Sequence, residues 1–165
     1  MKKLIARPLT AEAFAPFGQV IEADARRALA INYGQTTRFH DLARIDVAQG
    51  GGQPIVSLFR SRPLPAPMTL RVMERHPLGS QAFIPLEGRS YLVVVAPPGE
   101  FKPSAVVAFL ATGKQGVNYA PGVWHHFLLA LEAQSDFLVI DRAGEGNNCD
   151  EVTIEPQEQF VVEVG

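Results

Sequence analysis

Apolar residues recur at every second position in a series of short segments, roughly ten residues apart and separated by Pro, Gly and Asn. The clearest run from Pro54 to Arg60, Met68 to His76, Gln81 to Leu86, Tyr91 to Ala96, Val106 to Ala111, Trp124 to Leu131, Phe137 to Asp141 and Phe160 to Val164. Side chains of an extended chain alternate between two faces, so this period marks strands with at least one buried face. Many short strands punctuated by turn residues predict an all-β sandwich or barrel with minor short helices. The best helix begins after Thr10, whose hydroxyl can cap the amides of the following AEAF, and Pro16 and Gly18 end it within a turn. PLPAP at 63–67 reads as a stiff connector. The three glycines of QGGGQP at 49–54 read as a flexible turn, lacking the spacing and strand-to-helix context of a phosphate loop.

One polar line interrupts this pattern. In MTLRVMERHP, alternation puts Leu70, Val72, Glu74 and His76 on one face and Arg71, Met73 and Arg75 on the other. A face that begins apolar thus ends in a carboxylate and an imidazole. If it points into a barrel, the pair needs a metal, a cation or a hydrogen-bond network, because an unpaired buried carboxylate is costly; if the strand end emerges into solvent, neither residue needs explaining. A short turn, Pro77 to Ser80, then brings Gln81 back near His76. Farther on, NYAPGVWHHFLLAL at 118–131 delivers two adjacent histidines from a Pro121-Gly122 turn. Alternation sends them to opposite faces, grouping His125 with Phe127, Leu129 and Leu131, and His126 with Trp124 and Leu128. At most one of the two can serve a given cavity.

Composition narrows the partners. With 165 residues, 47% hydrophobic and 19% charged, the chain suffices for a single domain over 1–165 with a substantial core and is too apolar for disorder. A net charge of -2, a pI near 6.1 and no basic run give no electrostatic case for nucleic acid or an anionic membrane, which leaves a small molecule or a protein. MKKLIARPL starts with the lysines of an export signal, but Arg7 and Pro8 cut its apolar run short. The single cysteine, Cys149, allows no internal disulfide and no thiol cluster, which fits a reducing cytoplasm, with the thiol a buried bystander. No serine stands in a G-x-S-x-G elbow and Cys149 has no evident histidine partner, so covalent acyl chemistry has little support.

The two polar motifs resemble those of the cupin superfamily. Glu74-Arg75-His76 stands where those barrels have H-x-H, Gln81 where they have a glutamate, and Pro121-Gly122-Val123-Trp124-His125 where they have P-x-G-x-x-H. The resemblance selects His125 over His126 for the site and implies a set of Glu74, His76, Gln81 and His125 suited to a divalent transition metal. A more extensive likeness is carried by LTAEAFAPFG, INYGQTTRFHDLA, ERHPLGSQAFIPL, NYAPGVWHHFLLAL and DRAGEGNNCDE, in that order. In these the chain is similar to the ureidoglycolate lyase family of allantoin degradation, within purine catabolism. The likeness implies a cupin-like double-stranded β-barrel (jelly roll), a homodimer, nickel dependence, and cleavage of (S)-ureidoglycolate to glyoxylate and urea.

That substrate carries a carboxylate, a hydroxyl and a ureido nitrogen on one carbon, so its cleavage needs a base, an acid and an anion clamp. Glu74, His76 and His125 are the expected catalytic groups; with Gln81 they supply the metal cage or, without metal, the base and acid directly. Arg38 or Arg142 would clamp the carboxylate, and Asn32, Thr36, Thr37 and His40 would bind the ureido group. The competing assignment for that polar segment is a hydrogen-bonded loop, and for Asn147 and Asn148 a turn. Two other functions fit the same residues: a non-catalytic module that binds small acids, and an amidohydrolase releasing ammonia and carbon dioxide from the same substrate.

Overall fold

Strand follows strand in the computed structural model, which describes residues 1–165. The chain opens with β1 (Lys2–Pro8), one helical turn α1 (Ala11–Phe14) and β2 (Gly18–Ile21). A hairpin follows, β3 (Ala28–Ile31) and β4 (Thr36–Phe39), and then β5 (Gln53–Ser61), β6 (Thr69–Leu70), β7 (Val72–Arg75) and β8 (Gln81–Pro85). The second half holds β9 (Tyr91–Ala96), β10 (Val107–Ala111), β11 (Gly116–Tyr119), β12 (Trp124–His125), β13 (Leu129–Ala130), β14 (Ser135–Ala143), β15 (Asp150–Thr153) and β16 (Phe160–Val164). As expected, α1 is capped by Thr10, whose hydroxyl accepts the Ala13 amide at 3.2 Å.

These strands form an all-β jelly roll of two facing sheets. The larger runs β15-β7-β12-β9-β10-β1-β16-β6, with β13 also on β9; the smaller runs β2-β11-β8-β14-β5. Phe14, Phe83, Tyr91, Val93, Val95, Phe109 and Phe137 fill the space between them. The larger sheet curls until its ends meet, for β6 continues into β7 through Arg71, whose carbonyl accepts the Ile154 amide at 2.8 Å. The curl encloses a second core of Leu70, Met73, Leu92, Val94, Trp124, Leu129 and Phe160. Strand β9, YLVVVA, shows why: with no polar residue it feeds Tyr91, Val93 and Val95 to one core and Leu92, Val94 and Ala96 to the other.

Two breaks in alternation correct the sequence pattern. His125 lies opposite Val95 and Leu129 opposite Leu92, so three residues on one side face two on the other. This bulge splits the expected strand from Trp124 to Leu131 and shifts parity. Leu129 therefore joins Trp124 in the second core and Leu131 packs against it, while His125 keeps the other face. A second break at Arg71 puts Leu70 and Met73 in the same core, so Leu70 leaves the face of Glu74 and His76. Cys149, expected buried, is exposed.

Alternation also overlooks β1, β2, β11, β15 and the β3–β4 hairpin. That hairpin stands clear of both cores, with every residue from Ala28 to Arg38 exposed. Its tip turns through three successive left-handed residues, Asn32, Tyr33 and Gly34, at φ 53, 60 and 82°. Such a backbone is free for glycine and unusual for tyrosine.

Candidate active site

Strand β7 carries Glu74 directly opposite His125 on β12, and His76 follows just past the end of β7. Glu74 Oε1 lies 3.9 Å from His125 Nδ1 and 4.0 Å from His76 Nε2, and the two imidazole centroids are 5.1 Å apart. Neither separation is a hydrogen bond. Both rings are held from behind: His76 Nδ1 is 2.7 Å from the Asn148 carbonyl oxygen, and His125 Nδ1 is 3.1 Å from that of His126. A carbonyl only accepts, so each Nδ1 carries a hydrogen, and in a neutral ring the lone pair stands on Nε2. Both Nε2 atoms are buried without a partner.

Gln81 adds a third unpartnered atom. Its amide nitrogen donates to Asp141 at 3.1 Å, which leaves Oε1 buried and unbonded. It stands beside Tyr119 in the β8–β11 register, and Tyr119 stacks on His125. Two imidazole lone pairs, an amide oxygen and a carboxylate thus line one wall.

Burial sets the charges. It pushes His125 down to about 3, helped by His76, so that ring is neutral at ordinary pH. Burial also raises the Glu74 carboxyl, opposed by His76 and reinforced by Glu151 on the neighbouring strand. The Tyr119 phenol is raised by burial and by Glu74 and stays protonated.

These residues suit a divalent metal. Ligand atoms of Glu74, His76 and His125 lie within 4.8 Å of one another, close to the span of two metal–nitrogen bonds of roughly 2.1 Å each. Three ligands on one ion cannot all stand opposite one another, so at such bond lengths their atoms lie about 3.0–3.4 Å apart and the set would close by roughly 1.5 Å. Histidines whose Nδ1–H is tied to a carbonyl while Nε2 faces the ion are the usual outer-shell arrangement.

The structure brings together Glu74, His76 and His125, with Gln81 next to Tyr119, but not every residue named from sequence. Arg142 on β14 is buried; its Nε and Nη2 donate to the Gln49 carbonyl at 3.1 and 2.9 Å, and Nη2 also donates to Glu145 at 2.8 Å. It packs so closely on Gly52 and Gly79 that a Cβ at either would collide with it, and it fastens the loop at 49–52 to the barrel. Asn147 and Asn148 lie in the loop before β15, where Asn147 donates to Asp150 and Asn148 Oδ1 accepts the Leu78 amide at 2.8 Å; neither is left-handed. Asn32, Thr36, Thr37, Arg38 and His40 lie on the exposed hairpin or at its root; there Asn32 contacts Thr36, and the His40 amide closes the base on Arg27. His126 is buried, with Nδ1 on the Phe127 carbonyl.

Tyr119, Asp141 and Glu151 were missed from sequence. Parity could have found two of them. Asp141 follows Phe137 and Val139 on the inward face of β14, and Tyr119 follows Val117 on β11.

A jelly-roll barrel with an inward Glu/His/His set and a free amide oxygen defines a cupin-like protein equipped for metal or small-acid chemistry. The ureidoglycolate lyase family matches residues 1–163, and the chain belongs to it. A ureidoglycolate lyase of Burkholderia cepacia is 61% identical over 89% of this chain and 84% of its own length. One from Pseudomonas syringae pv. tomato is 53% identical over 99% and 96% respectively. Among solved structures, a dTDP sugar isomerase from Desulfovibrio desulfuricans G20 aligns with a TM-score of 0.41 at 17% identity, covering 87% of this chain and 83% of that one. No helix is long and apolar enough to cross a membrane.

Proposed function

We propose that this chain cleaves (S)-ureidoglycolate to glyoxylate and urea, as a one-domain cytoplasmic homodimer with nickel as the first choice of metal. The observation that carries the reading is the group of unpartnered buried atoms, His76 Nε2, His125 Nε2 and Gln81 Oε1, beside Glu74, in a chain of the ureidoglycolate lyase family.

The four residues would hold the divalent ion, which when bound supplies Lewis-acid polarisation of substrate oxygens. Glu74 has two oxygens. Oε1 faces both histidines, which leaves Oε2 to take the hydroxyl proton. As the carbon–nitrogen bond breaks, the hydroxyl oxygen becomes the glyoxylate carbonyl, and the same carboxyl passes its proton to the departing urea nitrogen. In the metal-free chain burial raises the Glu74 carboxyl, in keeping with a group that takes up a proton and returns it. His125 and His76, fixed through Nδ1, present Nε2 without rotating.

The test is product analysis with purified protein and racemic ureidoglycolate, with and without added nickel or manganese. Glyoxylate and urea in equal amounts support the reading. Ammonia in place of urea identifies an amidohydrolase, and binding without turnover identifies a small-acid module; either outcome overturns it.

A further inference from the structure

A substrate with a carboxylate needs a cation, and the wall around Glu74 offers none free. Arg75 pairs with Asp150 at 2.9 Å and stacks on Trp124, on the far face of the sheet. Arg142 spends Nε and Nη2 on backbone carbonyls. The nearby charges are otherwise acidic: Glu74, Glu151 and Asp141.

Two surfaces of this chain lack partners. One is the β3–β4 hairpin, an arm that leaves Leu29 50% exposed, Ile31 36% exposed and Tyr33 wholly so, at a left-handed tip. A two-stranded ribbon in water is marginal by itself, and apolar side chains along it call for cover. The other is β5, a nine-residue edge strand at the open side of the smaller sheet. Ile55 and Phe59 there share the face that β14 turns into the barrel, for they lie opposite Asp141 and Phe137, yet they are 41% and 40% exposed. Phe59 shares a cleft with exposed Phe127, and Ile55 lies opposite Asp141, which accepts from Gln81. A long uncovered edge of this kind is normally paired or protected.

The cover and the uncovered seam belong to one chain but do not meet within it. We propose that the arm acts in trans: in a two-fold pair each β3–β4 hairpin lies over the partner's β5 seam and brings Arg38 to the partner's site, where it clamps the substrate carboxylate. A two-fold exchange satisfies both surfaces in both copies at once and closes the assembly. Charge fits at the site as well, because Arg38 is the arm's sole ionisable residue besides Tyr33 and the groups around Glu74 and Gln81 include the acidic Glu151 and Asp141. A guanidinium also matches a carboxylate in two parallel hydrogen bonds. The proposal rests on the site binding a small acid, as inferred above.

Two measurements test it. Arg38→Ala and Glu74→Ala chains, carrying different tags, are co-expressed and the mixed pair is purified through both tags. Each variant alone is expected to be inactive. The mixed pair should recover about half of wild-type turnover, because one of its two sites has both an intact Glu74 and an intact arm from the neighbour. No mixed pair, or a mixed pair as inactive as its parents, overturns the proposal. The second measurement does not depend on turnover. Cys149 is the chain's sole cysteine and lies next to Asn148, which holds His76. Chains carrying R38C in a C149S background, mixed with unsubstituted chains and treated with a short bis-maleimide, should give a cross-linked heterodimer. If no heterodimer forms, while R38C chains that keep Cys149 cross-link only within themselves, the arm works in cis and the proposal fails. Should unsubstituted protein release no glyoxylate, the lyase reading fails, while the cross-link still reports on the arm.

Discussion

Tyr119 lies flat against His125, with ring centroids 4.3 Å apart and 4° between the planes. The stack, not the alternation of β12, fixes which way the imidazole faces: β12 is only two residues long and is followed by the bulge. Tyr119 is itself wedged against Phe14 and Phe83, so the packing of the inner core reaches the site through one ring. Tyr119→Phe keeps the ring and should change stability by less than about 1.5 kcal/mol, with metal affinity close to that of the parent. Tyr119→Ala removes it; the cavity should cost about 3 kcal/mol or more, and metal affinity should fall because His125 can swing. Urea unfolding and nickel titration separate the two variants.

The Gln81–Asp141 contact makes a second prediction. Asp141 only accepts, so the Gln81 amide nitrogen must face it and the oxygen must face the site. Asp141→Asn adds a donor and allows the Gln81 amide to turn over, which would present NH2 to the ion. Metal affinity should fall roughly 10–100-fold while the fold is kept, the usual scale for losing an outer-shell partner. Calorimetric titration with nickel checks this, and no change in affinity would show that Gln81 Oε1 is not a ligand.

The acid sensitivity of the chelated protein follows from His125. In the fold this ring takes up a proton only at about 3, against 6.5 for an ordinary histidine. Between those values the unfolded chain binds the proton and the folded chain does not. Stability from this group is therefore complete above about 6.5 and is lost as pH falls through the window, by at most about 1.4 kcal/mol per unit. Glu74, raised by burial, works in the opposite sense just above its ordinary 4.5, so the comparison must hold it constant. Denaturant unfolding of parent and His125→Gln proteins, both metal-free, should show the parent losing stability faster as pH falls from about 6.5. Parallel curves would mean that His125 is protonated in the fold.

Much of the barrel was legible because its rule is local. A strand such as YLVVVA announces burial on two faces by composition, and PGVWHH announces a turn that delivers a histidine. The polar end of β7 was legible for the same reason, since Glu74 and His76 break an apolar run at matching parity. What alternation could not supply was every place where the chain departs from period two. A bulge inserts one residue with no sequence mark of its own, and the break at Arg71 arises because β6 pairs with β16 whereas β7 pairs with β15, a choice made by distant strands. The contacts of Arg142 were not legible for a related reason: its even position on β14 and its loop partners decide them, and a lone arginine in sequence shows neither. The arm was legible as a polar segment but not as a hairpin, because no buried face imposes alternation on it.

The bulge also separates the two histidines in a way that substitution can read. His125 lies before it, neutral, stacked and with Nε2 open to the site; His126 lies at its start, where its amide bonds the Val94 carbonyl at 3.0 Å and its ring folds back on the Phe127 carbonyl. His126 borders a separate surface cleft with Leu64, Arg71 and Val72, away from Glu74. His125→Ala should therefore abolish metal binding and turnover and leave folding intact apart from the cavity under Tyr119. His126→Ala should retain the metal and most of the turnover while costing stability, on the order of 1–3 kcal/mol for a buried polar ring lost from a packed bulge. The split between turnover and stability is the informative quantity. Equal losses of turnover from the two substitutions would mean that the bulge does not isolate His126 from the site, and the assignment of His125 as the sole histidine contributed by this turn would fall.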